Sequence, residues 1–76
     1  MFVIVNSLGM RLCQDGRFRQ HANFGSYPGC VKTYRLRGFA DRRIWQLKRS
    51  GNDVSVVEIP ARHYMDAAGH VLEVAE

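Results

Sequence analysis

The chain opens on an apolar run in which Phe2, Val3, Ile4 and Val5 occupy both alternation sets, the pattern of a strand covered on both faces. Asn6-Ser7-Leu8-Gly9 supplies turn chemistry, and Met10-Arg11-Leu12-Cys13 resumes a period of two. Asp15-Gly16 falls where a tight hairpin turn needs positive φ, which makes Arg17-Phe18-Arg19 a short return strand. From His21 to Cys30 the chain carries Asn23, Gly25, Ser26, Pro28 and Gly29 and reads as an irregular surface loop. Loops of this length in so short a chain are usually functional or mobile.

Val31 to Leu36 fits either a strand or an extended lead into a helix. From Gly38 the period changes: Ala40, Ile44 and Leu47 lie at i, i+4 and i+7 and share one helical face. Asp41 in the first turn and Lys48 and Arg49 in the last complement the helix dipole, and Gly51 marks the stop. Val54 to Ile59 is rich in β-branched residues and is limited by Pro60. Asp66-Ala67-Ala68-Gly69 joins His63-Tyr64-Met65 to His70-Val71-Leu72-Glu73-Val74 as a closing hairpin, and alternation there puts His63 and Met65 on one face with His70 and Leu72. No repeat, low-complexity tract or linker interrupts the pattern. The expectation is a single domain over residues 1–76 of the α+β class, with two layers: one helix packed on a mostly antiparallel sheet in a ββαββ-like order.

Size narrows the function. A domain of 76 residues buries only about 60% of its unfolded surface, so a deep catalytic cleft is not expected. No stretch approaches the ~18 apolar residues of a membrane span. The apolar start lacks a basic lead-in and meets Asn6-Ser7 too soon for a signal peptide, so a cytoplasmic location is expected. Cys13 and Cys30 are then reduced by default, although a bridge between them would contribute about 3 kcal/mol.

The formal charge of +4 is unevenly spread. Between Arg11 and Arg49 ten bases face two acids, an excess of +8, whereas from Ser50 onward one base faces five acids, giving −4. Nine of the eleven bases are arginine, the residue suited to planar, bidentate or stacked contacts with phosphates and carboxylates. Arg42, Trp45 and Arg49, at i, i+3 and i+7, form a second helical stripe beside the core face. With Arg35 and Arg37 ahead of it, and Arg17 and Arg19 on the first hairpin, this stripe is the candidate surface for a partner or nucleic acid. Phe24 and Tyr27 add candidate aromatic anchors from the loop. The competing reading is a solvated basic helix face whose arginine stems cover apolar surface.

Catalytic and metal chemistry find little footing. The spacings of Cys13, His21 and Cys30 match no zinc pattern, and neither C-x-x-C nor H-x-x-x-H occurs. Cys30 or Ser26 with His21 and Asp15 would supply a nucleophile, base and orienter on paper, but none lies in a nucleophile motif. A non-enzymatic protein with no metal or other cofactor is expected.

The opening Phe2-Val3-Ile4-Val5, the run Met10-Arg11-Leu12 into Asp15-Gly16, the single basic helix and the closing hairpin together resemble small accessory proteins of phages and mobile elements, of the anti-CRISPR type. The resemblance covers nearly the whole chain in layout. Those inhibitors share no common signature, so no functional residue is carried over. The resemblance implies a protein that blocks a host ribonucleoprotein or nucleic-acid-handling complex. The leading expectation is therefore an inhibitor docking on such a complex through its arginine-rich surface. The alternatives are a small basic DNA- or RNA-binding regulator and a structural homo-oligomer, a homodimer formed through edge strands.

Overall fold

β1 (Phe2–Asn6) runs through the middle of the main sheet. The computed structural model describes the whole chain except residues 21, 25–27, 67 and 76. On one side β1 pairs antiparallel with β4 (Val54–Glu58) over five residues, from Phe2↔Glu58 to Asn6↔Val54. On its other side it meets β2 (Arg11–Leu12), which pairs with β3 (Phe18–Arg19), giving the order β3-β2-β1-β4. Gly16, at φ 83°, makes the tight turn between β2 and β3 that Asp-Gly predicts. The segment Val31–Leu36 is the extended lead: Val31 bridges both Cys13 and Phe24, and Tyr34 bridges Phe2, exchanging two 2.8 Å backbone hydrogen bonds with it.

Alternation sorts the core into two clusters. Val3 and Ile4 are both fully buried, on opposite faces, as the opening apolar run requires. Ile4, Leu12 and Val54 face α1 (Arg37–Arg49), whose Ile44 and Leu47 pack on them. Val3, Cys13, Val31 and Ile59 face the other way and are closed over by Ala22 and by Met65 of the hairpin β5 (His63–Met65) and β6 (Val71–Glu73). The fold is thus α+β, with the helix layer on one face and the small second sheet completing the other. Cys13 and Cys30 are free thiols, the first buried as a small hydrophobe.

The helix ends as its sequence dictates. Gly51, at φ 89°, donates its N–H to Lys48 O, and Asn52 donates to Leu47 O, the two bonds of a Schellman cap. Its start differs from expectation. The helix begins at Arg37, so Asp41 falls in the second turn, the first turn has no acid, and Leu36 at the N-cap makes no side-chain cap bond.

Two further expectations are corrected. In the hairpin, Met65 pairs with Val71 and His63 with Glu73, so His63 and Met65 share a face with Val71 and Glu73 rather than with His70 and Leu72. The cause is the turn, which closes through Asp66 N–H to His70 O and takes His70 out of the strand. Arg11, counted among the bases of the positive stretch, is only 3% exposed. Its guanidinium donates to the backbone oxygens of Ala22 and Asp66, clamping the loop and the closing hairpin to the sheet, while its Nε has no partner.

Candidate functional site

At 3.6 residues per turn, the inward set Ala40, Ile44 and Leu47 leaves Arg42, Trp45 and Arg49 on the far side of α1. The stripe therefore lies opposite the core face, not beside it. Trp45 is 60% exposed, and the Arg49 guanidinium stacks over its ring at 4.7 Å from the centroid. Among the described residues neither Arg42 nor Arg49 has an acidic partner. The result is a solvent-facing indole flanked by two arginines.

The leading end of the same helix adds to this field. Arg35 and Arg37 are exposed there, where the dipole is already positive and no first-turn acid offsets it. Arg37 reaches Asp41 only at 3.8 Å between two exposed side chains, a weak pair.

The other predicted residues separate from this face. Arg19 is engaged: it grips Asp15 through two hydrogen bonds of 2.8 and 2.6 Å. Arg17 is exposed on the turn and donates its backbone N–H to Asp15. Phe24 is not an exposed anchor, because it pairs with Val31 and packs against the hairpin-side core. Tyr27 lies outside the described residues, as do His21 and Ser26 of the nucleophile, base and orienter set. Of that set, Asp15 is committed to Arg19 and Cys30 is half-buried. Among the described residues no three or more His, Cys, Asp or Glu come together as a metal site, and no helix is long and apolar enough to cross a membrane.

The Arg19 hydrogen bonds hold the Asp15 carboxyl well below the usual carboxylate range. A folded-state value depressed in this way contributes stability above the unfolded aspartate range, and the contribution is lost as pH falls through the lowered value. In a carboxyl-carbon NMR titration Asp15 is expected to stay ionised where an ordinary aspartate, near 3.9, is half protonated. Arg19→Gln should return it toward that value; an unchanged titration would show that Arg19 is not the cause.

Sequence reasoning missed a second feature. A cavity of about 220 Å³ opens between the β2–β3 turn, the extended lead and α1, lined by Leu12, Gly16, Lys32, Tyr34 and Arg43 among others. Arg43 Nη2 lies 3.9 Å from where a Cβ on Gly16 would stand, and Lys32 Nζ sits 5.6 Å from the Tyr34 ring centroid. Burial raises the Tyr34 phenol above its ordinary range, with the Arg43 charge opposing. The sequence signal was faint: Lys32 and Tyr34 share one side of an extended segment, and Arg43 flanks the helix core face.

Comparisons with family models, with curated proteins and with solved structures find no match to this chain.

Proposed function

We propose that the chain is a non-enzymatic binding protein that docks through the outer face of α1 on an anionic macromolecular surface, that of a host ribonucleoprotein or nucleic-acid-handling complex, as an anti-CRISPR-like inhibitor would. The observation that carries this reading is Trp45, exposed on the side of the helix that packs nothing and stacked with Arg49. A large apolar ring held in water by a cation has no role in the core, whereas Trp and Arg are the residues that dominate interfaces. Arg35, Arg37 and Arg42 extend the positive field around it, which favours a phosphate-rich partner and speeds encounter.

The test is capture from bacterial lysate by the immobilised chain, with Trp45→Ala and Arg42→Glu in parallel. Both variants are expected to lose a ribonucleoprotein that the parent retains, by tenfold or more (about 1.4 kcal/mol). Their melting should match the parent's, because neither side chain packs inward. Equal capture by parent and variants would overturn the reading. Direct binding to nucleic acid is tested alongside with a labelled single strand and a labelled duplex. If the nucleic acid alone is bound, log affinity should fall with log salt by about 0.7–0.9 per phosphate neutralised. In that outcome the regulator reading replaces the inhibitor.

A further inference from the structure

The cavity beside α1 has a charge pattern that the fold does not explain. Lys32 and Arg43 come from distant parts of the chain and converge on one small space with Tyr34. None of the residues lining it is an acid. Asp15, on the adjoining turn, is committed to Arg19 through both carboxylate oxygens. Among the described residues neither Lys32 nor Arg43 forms an ion pair; Arg43 has only a 3.3 Å contact with Gln46, and Lys32 only the Tyr34 ring. Two like charges on residues that line one partly open space repel each other, and an anion bound there relieves that repulsion.

We infer that this cavity is a binding site for a single phosphate group, distinct from the docking face and on another side of the same helix. The guanidinium of Arg43 supplies a planar fork for two phosphate oxygens, and the Lys32 ammonium supplies a point charge. The phenol of Tyr34 adds a polar group that is neutral at physiological pH, since its titration lies above its ordinary range. The volume sets the class. About 220 Å³ lies below the 300–1,000 Å³ of sites that enclose drug-sized ligands, so the site takes a phosphate and little of what the phosphate is attached to. Both a phosphorylated small molecule and the terminal phosphate of a nucleic acid strand present that group.

The probe is inorganic phosphate, added to the full chain while backbone amides are followed by NMR at constant ionic strength, with acetate as the control anion. The amides of Gln14, Gly16 and Lys32 are expected to shift saturably with phosphate and not with acetate. Lys32→Gln and Arg43→Gln should each weaken binding about tenfold, and Arg43→Lys, which keeps the charge but loses the fork, by less. Trp45→Ala should leave it unchanged, so failure of this inference and failure of the docking reading are separable. A pair of short oligonucleotides, with and without a 5′-phosphate, assigns the source. Tighter binding of the phosphorylated strand than of its unphosphorylated counterpart, kept in Trp45→Ala, points to a nucleic acid end, and equal binding of the two strands points to a small molecule. Shifts that do not saturate, that acetate reproduces, or that persist in both Gln variants would overturn the inference.

Discussion

Arg11→Ala is expected to abolish cooperative folding at room temperature, read as the loss of a sigmoidal urea transition by far-ultraviolet circular dichroism. Arg11 is a strand residue whose side chain points into the hairpin-side core, and its guanidinium ties to the main sheet two segments that lie outside it. Truncation removes the donor from the buried Ala22 carbonyl, at about 1–3 kcal/mol for a polar group left unsatisfied. It also leaves the volume of a long side chain empty, and a cavity term adds to that loss. A domain of this size has only about 3–5 kcal/mol in all. Arg11→Met separates packing from hydrogen bonding. It keeps much of the stem, and it removes both a buried charge and the unpartnered Nε, so it should fold to within about 1–2 kcal/mol of the parent. An alanine variant with the parent's transition midpoint would show that the clamp contributes nothing.

Ile4→Ala should follow closely, at about 2–5 kcal/mol. Its effect should be directional. Ile4 faces the helix, where Ala40 is the only fully buried residue of α1 and Ile44 and Leu47 are half covered, so the helix rests on few contacts. Val3, its neighbour in sequence, faces the opposite cluster with Met65 and Ile59, and Val3→Ala should cost about 2 kcal/mol. Hydrogen exchange distinguishes the two. Ile4→Ala should strip protection first from amides of 37–49, and Val3→Ala first from those of 63–65 and 71–73. The reverse pattern would refute the assignment of faces.

Much of this architecture could be read along the chain because it is local. The both-sided apolar start, the Asp-Gly turn, the i, i+4, i+7 set of the helix and its glycine stop each act within a few residues, and these four features stand where the pattern puts them. What escaped the reading depends on contacts across the fold. Arg11 alternates like an outward polar residue and is instead buried, because two carbonyls from remote segments meet its guanidinium. Phe24 sits in a glycine-rich stretch yet packs inward beside Val31. The hairpin register turned on one bond, Asp66 N–H to His70 O, which periodicity does not specify. For the candidate surface, helical spacing brought Arg42, Trp45 and Arg49 together, but only the packed helix shows that they face away from the core. The Lys32–Arg43 cavity joins residues with no periodic relation, so no local pattern announces it.

The central place of β1 also governs when the fold can complete during synthesis. β1 is made before β4, yet most of its backbone pairing waits for Val54–Glu58, and the Phe2↔Glu58 partners are among the most distant in the sequence. Closing so long a loop before its contacts form slows folding, and an unpaired apolar strand is exposed until it closes. A nascent chain that ends within α1 therefore carries Val3 and Ile4 with one edge bare. Chaperone engagement and aggregation of truncated products should be greatest over that interval and should fall once residue 58 has cleared the ribosome.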